Sequence, residues 1–128
     1  MTPLRMLVVD DEEPILFAMR EYFSACGYRV DCARELEEAQ ALVLEYDYDM
    51  VVADLRLTDV YGSEGLSLIG HLRRCSPRTP IILLTAYGSP EVEREARRLG
   101  VARVLHKPQP LPHVAQIVFG LVGKGGES

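Results

Sequence analysis

Short, nearly unbroken apolar runs alternate along this chain with stretches in which apolar residues recur every three or four positions. Leu4 to Val9, Met50 to Ala53 and Pro80 to Leu84 are runs of the first kind, the pattern of strands covered on both faces. Tyr28 to Ala33 differs, because Tyr28, Val30 and Cys32 alternate with Arg29 and Asp31. That alternation predicts a strand with one exposed face or at a sheet edge. Val101 to His106 is a fifth strand candidate.

The intervening stretches read as helices. Pro14 suits a first helical turn, Ile15, Leu16, Met19, Tyr22, Phe23 and Cys26 mark one face, and Gly27 ends the helix. A second helix is predicted over about residues 35 to 46, with Leu36, Ala39, Leu42, Val43 and Tyr46 inward. Leu66, Ile69 and Leu72 give a third, which fades at Cys75-Ser76-Pro77. Ser89-Pro90 supplies an N-cap and a first-turn proline for a fourth, carried by Val92, Ala96 and Leu99 and closed by Gly100. The last helix has Val114, Ile117, Val118 and Leu121 on its apolar side. Residues 57–65, rich in turn formers, read as a loop over the strand ends.

Five strands alternating with five helices specify an α/β fold, a doubly wound parallel sheet with helices on both faces and right-handed crossovers. At 128 residues there is one core to build, expected over residues 1–122, and the glycine-rich residues 123–128 read as a flexible tail. Apolar content of 48% with 26% charged residues is that of a globular protein, and no run nears the roughly 20 apolar residues that cross a bilayer. Membrane insertion is not expected. The amino terminus lacks the features of a secretory signal, so the cytoplasm is the expected location. Fourteen basic against 19 acidic residues leave a net charge of −5, which argues against direct nucleic acid binding. Cys26, Cys32 and Cys75, odd in number and without Cys-x-x-Cys spacing, argue against both a disulfide framework and a thiolate metal site and are expected to be reduced and buried.

In such a sheet the residues that follow each strand share one rim, where ligands collect. Asp10 and Asp11 follow strand one, Asp54 strand three, Thr85 strand four and Lys107 strand five. Singly, each has a plain structural reading as a turn acid, helix-start acid, strand-end hydroxyl or solvated charge. Together, three acids, a hydroxyl and a lysine on one rim suit a hard cation and a phosphoryl group. Magnesium prefers carboxylate oxygens and water, and phosphoryl transfer needs its charge neutralised.

Val8-Val9-Asp10-Asp11-Glu12, Asp54-Leu55-Arg56-Leu57, Leu84-Thr85-Ala86 and Lys107-Pro108 carry a resemblance to the receiver domain of two-component response regulators, over about residues 4 to 122. The resemblance implies a flavodoxin-like (βα)5 fold with strand order 2-1-3-4-5. It implies that Asp54 is the phosphoacceptor and that Asp11, Asp54 and the backbone carbonyl of Arg56 bind Mg2+ or another divalent cation, with Asp10 acting through water. Thr85 and Lys107 would hold phosphoryl oxygens, and Lys107-Pro108 is a candidate cis bond. The implied partners are a sensor histidine kinase or phosphotransfer protein, and an output domain or partner reached through the fourth helix, fifth strand and fifth helix. The chain would be a regulatory protein that catalyses only its own phosphotransfer and dephosphorylation.

The sequence departs from the family pattern in places. Val104 stands where receivers usually carry an aromatic residue, which leaves Tyr87 as the nearest substitute in a conformational switch. The loop after Asp54 lacks the usual proline and is about three residues longer, so either Gly62 or Gly65 matches the family glycine. Gln109 replaces an apolar aromatic, and Leu111-Pro112 replaces an acidic cap.

Two other function classes share parts of the chemistry. A metal-dependent phosphatase of the haloacid dehalogenase type places its nucleophile after strand one in an Asp-x-Asp arrangement, whereas Asp10-Asp11 are adjacent and 128 residues leave no room for a cap domain. A flavin carrier of the same architecture needs a phosphate loop after strand one, and acids stand there instead. His71, His106 and His113 have no ligand spacing and read as surface residues. Arg94, Arg97, Arg98 and Arg103, interleaved with Glu91, Glu93 and Glu95, read as a solvated, internally paired helix surface.

Overall fold

The computed structural model describes residues 3–54, 63–86 and 90–123, with residues 63–66 described by backbone alone. Its elements run β1 (Arg5–Val9), α1 (Glu13–Ala25), β2 (Arg29–Ala33), α2 (Leu36–Glu45), β3 (Met50–Asp54), α3 (Ser63–Cys75), β4 (Ile81–Thr85), α4 (Pro90–Arg98), β5 (Arg103–His106) and α5 (Leu111–Val122). The five strands form one sheet in the order β2-β1-β3-β4-β5, and all four pairings are parallel. This is the expected order.

Successive strand residues point to opposite faces, so the unbroken apolar runs feed two cores at once. Met6, Val8, Met50, Val52, Ile82 and Leu84 pack on one side with Leu16, Met19 and Phe23 of α1 and Val114, Ala115 and Val118 of α5. Leu7, Val9, Val51, Ala53, Ile81 and Leu83 pack on the other with Ala39 and Val43 of α2, Leu68, Ile69 and Leu72 of α3 and Val92 and Ala96 of α4. β2 lies at one sheet edge and its residues from Arg29 to Cys32 keep some exposure, in line with its alternating sequence.

Most boundaries shift by a residue or two from the expected ones, but α3 already begins at Ser63, so residues 63–65 of the expected 57–65 loop are helical instead. Thr85 belongs to β4 itself, while Pro80, which has no N–H to donate, enters the sheet only as acceptor from the Val51 amide (3.1 Å). Val101 precedes β5: its amide caps α4 by donating to the Ala96 carbonyl (3.1 Å), and the Ala102 amide donates to Ile81 (2.8 Å). Gly27 and Gly100 take φ of 95° and 89° at the ends of α1 and α4, the left-handed turn that favours glycine.

The expectation of buried thiols is corrected. Cys75 is exposed, and Cys26 and Cys32 are half-buried, though all three are free. Cys26 caps α1, Cys32 lies on an edge strand and Cys75 ends α3, places that the sheet and helices do not enclose. His106 and His113 are exposed as expected, whereas His71 is half-covered by its position on α3. Ser89 and residues 55–62 lie outside the described residues, as does the tail from 124. Among the described residues, no helix is long and apolar enough to cross a membrane.

Candidate phosphoryl-transfer site

Each candidate side chain sits where a strand stops. The Asp10 amide makes the last link from β1 to β2, donating to the Ala33 carbonyl (3.0 Å). Asp10 Oδ1 then accepts the Glu12 amide (2.9 Å), which turns the chain into α1. One carboxylate oxygen of Asp10 is thereby spent on the turn, and the other faces the site. Asp54 is the last residue of β3, paired with Leu84 of β4. The Lys107 amide donates to the Thr85 carbonyl (2.9 Å), so the end of β5 is pinned to the end of β4.

The central contact is ionic. Lys107 Nζ stands 2.7 Å from Asp54 Oδ2 and 3.3 Å from Asp10 Oδ2, and the side chains of Asp54, Asp10 and Lys107 are only 3%, 1% and 19% exposed. Lys107 thus bridges two acids at the ends of different strands. The Lys107-Pro108 bond is cis, as expected. Beyond it the Gln109 side chain closes the turn by donating to the His106 carbonyl (2.7 Å), which gives this departure from the family pattern a local role.

The cluster is electrostatically incomplete. Burial pushes the pKa of Asp54 from 3.8 up to about 6; Lys107 works against the rise through its hydrogen bond and charge, and the charge of Asp10 adds to it. For Lys107, burial alone lowers the pKa, but its hydrogen bond to Asp54 and the charges of Asp54 and Asp10 outweigh that and hold it above the ordinary value. One ammonium does not compensate the desolvated carboxylates. Beside them, oxygens of Asp10, Asp11 and Glu12 lie within 4.8 Å of one another, with Asp10 buried, Glu12 half-buried and Asp11 exposed. An all-carboxylate set open to water fits a hard divalent cation, which keeps several waters. Glu12 joins this group although the sequence reading gives it no ligand role.

Thr85 is 1% exposed at the end of β4. Among the candidates, Asp10, Asp11, Asp54, Thr85 and Lys107 therefore share the carboxyl rim of the sheet, while Arg56 and Tyr87 lie outside the described residues. Val104 is partly buried and packs on the core beneath α3 and α4, where its short side chain leaves no ring to swing outward. On α4, Arg94 pairs with Glu91, Arg97 with Glu93 and Arg98 with Glu95, as the charge pattern predicts, and Glu93 also meets His106 of β5 at 3.6 Å.

Similar proteins place this arrangement. The response regulator protein PilR of Pseudomonas aeruginosa is 30% identical over 118 residues, 92% of this chain and 26% of that protein. The regulatory protein AtoC of Escherichia coli is 32% identical over 114 residues, 89% of this chain and 24% of that protein. The chain thus spans about a quarter of the length of these curated relatives. A CheY-like response regulator receiver domain from Methanospirillum hungatei shares the fold, with a TM-score of 0.86 over 93% of both chains at 24% identity. A response regulator from Burkholderia pseudomallei, solved with a phosphorylated aspartic acid, a calcium ion and citrate, matches with a TM-score of 0.79 and 30% identity over 92% of this chain and 66% of that one. Finally, the family model described as the response regulator receiver domain matches residues 6–119, nearly the whole sheet and its helices. The chain belongs to the receiver domain family of response regulators.

Proposed function

We propose that Asp54 accepts a phosphoryl group from the phosphohistidine of a sensor kinase or phosphotransfer protein, and that the resulting acyl phosphate alters the output face formed by α4, β5 and α5. The observation that carries the reading is the buried bridge from Lys107 Nζ to Asp54 (2.7 Å) and Asp10 (3.3 Å) at the strand ends. An Asp54 carboxylate oxygen attacks phosphorus, the bond from phosphorus to the histidine nitrogen breaks, and the imidazole leaves with its electron pair. Lys107 already touches the attacking carboxylate. As the phosphoryl oxygens arrive, its ammonium lies within reach of them and offsets their charge without a large movement.

Asp11 and Asp54, with the Arg56 carbonyl, would hold the divalent cation, and Asp10 would act on it through water. Mg2+ bound there supplies positive charge that neutralises the acids and the transferring group. Thr85, at the end of β4, would take a second phosphoryl oxygen. Hydrolysis at the same rim then returns Asp54 to the carboxylate. Membership in a regulatory receiver family, together with Asp54 following strand three rather than strand one, leaves the dehalogenase-type phosphatase without support.

The test is direct. Incubation with acetyl phosphate or a phosphorylated kinase should add one phosphoryl group to the intact chain, measured by mass, only when a divalent cation is present. Asp54→Asn should remain unmodified. A phosphoryl group appearing on that variant at the wild-type rate would overturn the assignment.

A further inference from the structure

One pair of metal-ligating side chains stands apart from the strand-end rim. His71 and Cys75 are four residues apart on α3, so they share a helix face one turn apart. Cys75 Sγ lies 3.6 Å from His71 Nε2. A tetrahedral zinc ion bound by a thiolate at ~2.3 Å and an imidazole nitrogen at ~2.0–2.1 Å separates those two atoms by about 3.6 Å. The side chains therefore already stand at the bite of such an ion.

Their surroundings favour occupancy. Cys75 is exposed and His71 half-exposed, so an ion can enter from solvent with its own waters. Both lie in the last turns of α3, the end at which the helix dipole carries partial negative charge. The Arg73 guanidinium does not oppose a cation there, because it is turned onto the carbonyls of Pro77 (2.7 Å) and Thr79. Arg74, next to Cys75, is the one basic neighbour in that turn that works against binding. α3 runs back from the strand carboxyl ends, which places Cys75 at the opposite end of the sheet from Asp54. The competing account is a simple thiol–imidazole hydrogen bond of the same length.

We propose that His71 and Cys75 form a two-ligand surface site for a borderline-soft divalent transition metal, zinc above all, with water completing the tetrahedron. On binding, the Cys75 thiol releases its proton to solvent as the metal–sulfur bond forms. Neutral His71 donates the Nε2 lone pair and keeps its proton on Nδ1.

Cobalt(II) added to the reduced 128-residue chain is the probe, because thiolate-to-cobalt absorption in the near ultraviolet requires a sulfur ligand. The band should appear with wild type, vanish on adding Zn2+, and persist in excess Mg2+, which competes only at the carboxylate rim. Cys75→Ser should abolish it. His71→Ala should weaken cobalt binding by about tenfold or more, at least as much as the loss of an outer-shell partner costs. Circular dichroism checks that both exposed-site variants stay folded. Absence of the band, its survival in Cys75→Ser, or unchanged affinity in His71→Ala would each overturn the site.

Discussion

Replacing Asp54 by asparagine should stabilise the metal-free protein at neutral pH. Asp54 is buried at the rim with its pKa raised from 3.8 to about 6, chiefly by desolvation and despite Lys107. A folded-state pKa above the unfolded one means that folding disfavours the ionised acid. Below pH 3.8 the group is protonated in both states and nothing is lost; as pH rises through 6 the whole penalty develops. At ~1.4 kcal/mol for each tenfold change in proton affinity, the penalty approaches about 3 kcal/mol. Solvent reaching the rim screens part of it, which leaves about 2 kcal/mol. Asparagine has the same shape and no charge to desolvate. In EDTA at pH 7.5, Asp54→Asn should therefore unfold about 6–8 °C above wild type. The gap should shrink steadily towards pH 4 and also on adding Mg2+, which binds the folded wild type more tightly than the variant. Thermal unfolding followed by circular dichroism at pH 4, 6 and 7.5 measures all three effects. Equal stability at pH 7.5, or a gap of the same size at pH 4, would refute the reasoning.

Lys107→Ala should slow phosphorylation of Asp54 by acetyl phosphate by about tenfold or more, since a positioned cation is lost from the transferring group; an unchanged rate and an unchanged structural response would remove Lys107 from the mechanism. Tyr48→Phe removes the donor to Asp31 (2.7 Å) and should cost about 1.5–3 kcal/mol in urea unfolding, since the acceptor is a carboxylate. Ile69→Ala, which empties a fully buried position beneath α3, should cost about 2–5 kcal/mol in the same assay. With Val104 packed rather than free to swing, removal of the Tyr87 ring should alter the lifetime of the acyl phosphate or the response of α4 to a phosphoryl mimic. A variant like wild type in both respects would leave Tyr87 with no part in the switch or in the hydrolysis of the acyl phosphate.

Much of the fold was legible because a strand covered on both faces admits hardly any polar residue. Met50 to Ala53 and Ile81 to Leu84 show that constraint openly in the sequence. The rim residues were legible for a related reason: with parallel strands, every strand end falls on the same side, so Asp10, Asp54, Thr85 and Lys107 could be grouped before any contact was known. Periodicity served the helices less evenly. It marked Ile69 and Leu72 on α3 but passed over Leu68, which is 4% exposed, because a wide apolar face and a narrow one look alike over so few residues.

By itself the sequence determined the alternation of strands and helices, the two-sided core and the set of groups available at the rim, since each follows from local patterning and chain direction. Which strands are neighbours is a long-range matter that local patterning leaves open; the family motifs, rather than periodicity, pointed to the order β2-β1-β3-β4-β5. Only the tertiary structure decided that Lys107 closes on Asp54, 53 residues away, and on Asp10, 97 residues away. It alone produced the raised pKa of Asp54, because desolvation depends on what the rest of the chain covers. Exposure of the cysteines was decided in the same way. Composition favours burying a thiol, but Cys75 stands exposed at the last position of α3.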